Sequence, residues 1–257
     1  MSRPTQRLPL RVVLILAVFA FAAYFISATL SPAASIGGAP SGAPSGAPTG
    51  GTPTGIASAP AISPAPSAVS ATTAQTLALL DTLDVKGRSP KTGYDRDGKF
   101  GTAWVDMDQN GCDTRNDVLA RDLIATTKAG DCRVMTGTLA DPYTGTSIAF
   151  VRGETTSSLV QIDHIVALSN AWQTGAQQLS AEQRYEFAND PLNLLAVDGA
   201  TNSSKGDGDA ATWLPPNASF RCAYVSRQVA VKAAYALWVT PAEHDAIANV
   251  LATCPAS

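Results

Sequence analysis

The chain has 257 residues, 45% of them apolar, and a formal net charge of −3. Residues 72–257 hold all 21 acids and 15 of the 18 bases, a net −6, which excludes a surface that is basic overall and leaves only a local basic patch to attract a polyanion. The four cysteines fit no CxxC spacing, so a zinc ribbon is excluded and disulfides are expected.

Arg3, Arg7 and Arg11 precede an uncharged apolar run from Val12 to Leu30. Its length falls between a signal-peptide core and a membrane span, so residues 1–30 read either as a signal peptide or as a retained N-terminal membrane anchor. In both cases the basic flank stays in the cytoplasm and the rest is exported, outside the cell or into its envelope. Residues 31–71 are almost wholly Ala, Pro, Gly, Ser and Thr without a charge, a composition that cannot offset its ordering entropy and predicts a disordered linker. The folded domain is expected at 72–257.

Within it, 73–83 spaces Leu77, Leu80 and Leu83 on one helical face. Tyr94 to Asp106 reads as a turn followed by a strand. Asp106, Asp108, Asn110 and Asp113 fail the EF-hand pattern, because the Gly and the terminal Glu are out of place. Asp113 is placed to N-cap a helix running through TRNDVLARDLIATTK. CRVMTGTL and SIAFVRG flank the turn Asp141-Pro-Tyr-Thr-Gly145, which predicts a hairpin over 132–152. The next strand, Leu159 to Val166, carries Asp163 and His164 near its end.

Ser169 to Ala188 reads as helical with a capping box at Ser180 and Gln183, and Asp190-Pro191 stops it. Leu192 to Val197 is a strand, and Thr201 to Asp209 leads into a short helix at AATWLPP. YVSRQVAVKAAYALWV and PAEHDAIANVLA close the domain as a helix pair, the second opened by Thr240 and Glu243 with Pro241 at its first position. An antiparallel pair brings Cys222 beside Cys254. Cys112–Cys132 then follows by elimination, provided the chain between them doubles back. Trp104, Trp172, Trp213 and Trp238 are read as packing residues, and His244 as surface.

The chemistry concentrates in 160–206. Phosphodiester hydrolysis needs a positioned water, a base for its proton, and positive charge at the phosphate oxygens. His164 is the single histidine of this stretch and, at an ordinary pKa of about 6.5, a competent base. Asp163 and Asn202 offer the hard oxygens that Mg²⁺ prefers. Neighbours on a strand point to opposite faces, so bringing Asp163 and His164 to one site requires the strand to bend.

Asp163-His164, Asn193 in NLLAV, and Asn202 with Lys205 in NSSKGDGD together resemble the HNH (ββα-metal) endonucleases. The variant is the one that ends in Asn. The segment is especially similar to the C-terminal domain of GmrSD-type restriction enzymes and to exported actinobacterial relatives, with FGTAWVD, GCDTRNDVL, DPYTG and WLPPN extending the likeness. The resemblance implies an α+β fold: a ββα-metal core embedded in a helix-rich single domain with a small antiparallel sheet and two disulfides. It implies a monomeric, exported endonuclease using Mg²⁺ or another divalent metal such as Mn²⁺, with DNA the favoured partner and membrane contact only through the N-terminal segment. His164 would be the general base, Asp163 and Asn202 metal ligands, Asn193 the residue orienting the loop of the base, and Lys205 an aid at the phosphate. Arg115 and Arg152 are further candidates for holding phosphate. The net acidity supports a rival expectation, a non-catalytic envelope domain tethered by the linker.

Overall fold

The computed structural model describes residues 72–255; the apolar run at 12–30 and the linker at 31–71 lie outside them. Among the described residues no helix is long and apolar enough to cross a membrane.

Helix α1 (Thr73–Leu80) starts at a capping box in which Thr72 Oγ1 accepts from the Gln75 amide and Gln75 Oε1 from the Thr72 amide. Where a strand is expected near 100, the chain forms the short helix α2 (Arg96–Phe100). Two features override the strand pattern. Phe100 is buried against Trp172 and Phe187, and both Gly101 (φ +80°) and Trp104 (φ +64°) take positive-φ conformations that interrupt regular strand geometry.

Helix α3 (Thr114–Asp122) is N-capped by Asp113 as expected but ends six residues early, at Asp122. Asp122 Oδ2 accepts the backbone N–H of Ala196, fixing the helix end against a distant strand. The β-branched run that follows becomes strand β1 (Leu123–Ala129). It pairs antiparallel with β2 (Arg133–Ala140), which pairs in turn with β3 (Ser147–Val151) around the predicted turn. This reversal is the doubling-back that Cys112–Cys132 requires, and the bond forms with Cα atoms 5.1 Å apart.

A second sheet pairs β4 (Val160–His164) with β5 (Leu194–Asp198) antiparallel, Val160 opposite Asp198 and His164 opposite Leu194. The expected long helix between them is two, α4 (Leu168–Gln173) and α5 (Ala181–Asn189). They are broken at Gly175, whose φ of +132° an L side chain rarely adopts, and α5 begins at the predicted Ser180–Gln183 capping box.

Helix α6 (Gly199–Lys205) follows β5 directly, N-capped by Asp198, so the helix lies on the NSSK segment and not on AATWLPP. A glycine must begin it, since a Cβ at Gly199 would sit 2.0 Å from the Ser158 carbonyl oxygen. The downstream stretch is instead a turn gathered by Asp209, whose Oδ1 accepts from the amides of Ala211 and Thr212. Helices α7 (Arg221–Ala234) and α8 (Pro241–Leu251) form the closing pair, with Cys222–Cys254 bonded at a Cα separation of 5.9 Å.

The fold is a mixed α+β domain with two small antiparallel sheets and two disulfides. Strand β5 lies between two cores. Leu194 and Ala196 join Val118, Leu119 and Phe150 on one side, while Leu195 and Val197 join Tyr224, Val229 and Ile247 on the other. A strand covered on both faces reads as a continuous apolar run, which is what LLAV is. A third cluster, around Phe100, Trp172 and Phe187, packs α2, α4 and α5 together.

Candidate functional site

Strand β4 ends beside a cavity of about 410 Å³ bordered by Arg96, Trp104, Arg115, Gln161, Asp163, His164, Asn202 and Gly206, among others. Antiparallel strands followed by α6 thus bring Asp163, His164 and Asn202 to one place. Their side chains do point apart, as strand alternation demands, and each is held by a different part of the fold.

His164 is buried, and its Nε2 lies 2.9 Å from the carbonyl oxygen of Ala188 on α5. A carbonyl can only accept, so Nε2 carries the proton and Nδ1 keeps the lone pair. Burial lowers the imidazole pKa to about 3, with Arg96 and Lys205 adding to the effect and the Ala188 bond opposing it. At neutral pH the ring is uncharged and its tautomer fixed, and it is a weaker base than the ordinary pKa of about 6.5 expected from the sequence.

Asp163 faces away from α5. Lys205 Nζ donates to its two oxygens at 2.8 and 2.7 Å, and the Tyr143 hydroxyl also donates to Oδ2. The Lys205 side chain is wholly buried, and its third proton goes to the His164 carbonyl at 2.5 Å. Burial pushes the lysine pKa down, and Asp163 partly offsets that. Lys205 therefore reaches the site as the internal counter-ion of Asp163 and not as an exposed cation. Burial and the neighbouring Asp163 charge push the Tyr143 phenol well up, which keeps it a donor.

Asn202 lies in the middle of α6, donating through Nδ2 to Gln161 Oε1 at 2.9 Å. That bond orients the amide, and Oδ1 accepts nothing from the described residues. Asn193, fully buried, closes the loop after β4: its Oδ1 accepts the Val166 amide at 2.8 Å, and its Nδ2 donates to the carbonyls of Val166 and Phe187 at 3.3 and 3.4 Å. This amide ties the segment following His164 to the helix that holds the His164 ring.

The cavity also has a local basic character within a domain that is acidic overall. Arg96 and Arg115 border it, Asp163 is the acid among its lining residues, and neither arginine makes an ion pair among the described residues. Arg115 donates to the Val160 carbonyl at 3.2 Å; burial and then Arg152 lower its pKa, and Asp113 opposes them. Arg152 is elsewhere, bound to the Val134 carbonyl and Asn116 Oδ1 at 2.6 Å each.

Sequence reasoning missed Tyr143, the Ala188 carbonyl, Gln161 and Arg96. Tyr143 is the lone aromatic residue of the turn Asp141-Pro-Tyr-Thr-Gly145, which was the available signal; its complete burial is seen only in the fold.

Residues 113–250, more than half of the chain, match the family described as GmrSD restriction endonucleases, C-terminal domain. An uncharacterized secreted protein of Arthroderma benhamiae is 41% identical over 187 residues, 72% of this chain and 86% of that protein. That relative is not actinobacterial, so the expected actinobacterial kinship is not borne out. No solved structure matches the chain.

Proposed function

The chain belongs to the family of GmrSD restriction endonuclease C-terminal domains, and from that premise we propose that it is an exported phosphodiesterase acting on nucleic acid, DNA foremost, through a ββα-metal core. One observation carries the reading. A neutral histidine with a fixed tautomer shares a cavity with a carboxylate, an amide oxygen and two arginines that form no ion pair among the described residues. Residues 1–30 would direct export and 31–71 would separate the domain from its point of delivery. The secreted relative and the two disulfides support an extracellular site of action.

Among the described residues no cluster of three or more His, Cys, Asp or Glu is placed to hold a metal, so a divalent ion would rest on the oxygens of Asp163 and Asn202. Asp163 Oδ1 accepts from Lys205 alone, Asn202 Oδ1 accepts from no described residue, and both side chains border the cavity. Two hard oxygens plus water are the sparse ligation that Mg²⁺ favours, and Mn²⁺ suits the same donors. A bound ion would supply positive charge to the phosphate and acidify water.

The protein's own groups do the rest. Arg115 and Arg96 hold the phosphate, and His164 Nδ1 takes the proton of the attacking water. As the new P–O bond forms, the in-line P–O bond breaks and its electron pair leaves with the departing oxygen. Ala188 and Asn193 position the base, while Lys205 and Tyr143 hold the Asp163 carboxyl in place.

The full chain should nick supercoiled plasmid in Mg²⁺ or Mn²⁺ and stop in EDTA. Normal cleavage by His164→Ala would sink the mechanism. Absence of both cleavage and metal-dependent stabilisation would favour the non-catalytic envelope domain.

A further inference from the structure

Trp104 is held in a backbone conformation that its size disfavours. Its φ of +64° is one that bulky side chains rarely adopt, and such outliers persist where the surroundings over-determine them. The segment is fixed downstream, where the Val105 carbonyl accepts from both the amide and the hydroxyl of Thr114, at 2.9 and 2.5 Å. Core packing does not account for this placement, since the indole is only half-buried, at the margin of the cluster around Val118 and Phe150. It borders the same cavity as His164, and the Arg115 guanidinium lies 6.0 Å from its ring centroid.

With the Arg115 guanidinium over one face of the indole, the other face is the one a nucleobase would stack on, its phosphate near the arginine. We propose that Trp104 is a base-stacking residue and that the cavity takes an unpaired nucleotide, its base against the indole and its phosphate toward Arg115 and Arg96. This rests on the nucleic-acid reading above and narrows it. A paired base offers its faces only to its neighbours in the stack, so the substrate is single-stranded or locally opened. A volume of about 410 Å³ admits a group of nucleotide size.

The test is binding by the full chain in EDTA, followed by fluorescence anisotropy, with three probes of equal length: oligothymidylate, its duplex with oligoadenylate, and an abasic strand. Wild type should favour oligothymidylate over both others. Trp104→Leu, which keeps apolar volume at the core margin, should weaken oligothymidylate about 5- to 100-fold and leave the abasic strand unchanged. Trp104→Phe should lose a smaller factor on oligothymidylate and none on the abasic strand, and it carries the test should the Leu variant fail to fold. Equal loss on oligothymidylate and abasic probes, no loss on either, or wild-type preference for duplex would each overturn the proposal. If Trp104→Leu binds oligothymidylate like wild type while metal-dependent nicking persists, stacking falls and the nuclease reading stands. If wild type neither binds nor nicks, both fall.

Discussion

Replacing Lys205 by Met tests whether this lysine acts on Asp163 or on substrate. In the folded chain its ammonium lies 2.8 and 2.7 Å from the two Asp163 oxygens, and the side chains are 0% and 6% exposed. Removing one member of such a pair strands the other's charge in the interior, which costs about 3–5 kcal/mol. At the roughly 2–4 °C per kcal/mol typical of a domain this size, Tm should fall by about 6–20 °C. The double variant Asp163→Asn/Lys205→Met removes the stranded charge and should recover most of the loss. Urea unfolding in EDTA at neutral pH, followed by tryptophan fluorescence, gives all the free energies needed for the cycle. A single-variant loss below about 1 kcal/mol, or a double variant as unstable as the two singles combined, would refute the internal counter-ion. In the folded Lys205→Met protein, Asp163 no longer has its charge neutralised, so Mn²⁺ should raise Tm at lower concentration than in wild type. A lysine that served only the phosphate would leave both readouts unchanged.

Two further outcomes follow from groups already described. Burial holds His164 at a pKa of about 3, below the ordinary value, so as pH falls from about 6.5 toward 3 the unfolded chain takes up a proton that the folded chain refuses. The contribution is fully present above pH 6.5 and lost through that window, by at most about 5 kcal/mol; His164→Gln should therefore show a shallower loss of stability on acidification in urea titrations, and a slope equal to wild type would contradict the buried neutral ring. Replacing Cys222 and Cys254 together by Ser opens a loop spanning 32 residues and should cost about 4 kcal/mol by loop-closure entropy, readable as a lower urea midpoint.

What the sequence disclosed about this fold was chiefly what is settled locally. The capping boxes at Ser180 and Thr240, the Asp113 N-cap and the turn at 141–145 are each decided within a few residues, and all four form as expected. The end of α3 was not legible, because Asp122 is fixed by the amide of Ala196, 74 residues away, and β1 exists only by pairing with β2. Strand propensity around residue 100 yielded to the burial of Phe100. At the site, the order Asp163, His164, Asn193, Asn202 was visible because each residue type has a chemistry of its own. The partners were not. A lysine in a run of Gly, Ser and Asp reads as solvated, and only the packing of α6 on β4 reveals it as interior.

The Thr73 hydroxyl donates to the carbonyl oxygen of Pro255 at 3.1 Å, across 182 positions of sequence. The chain thus enters and leaves the described fold at a common doorway, on the side built from α1, α7 and α8. None of these three helices supplies a side chain to the cavity, whose lining comes entirely from residues 96–206. The two ends of the described fold and the lining of the cavity thus lie on different elements. A tag added at either end would therefore be joined beside helices that take no part in lining the cavity.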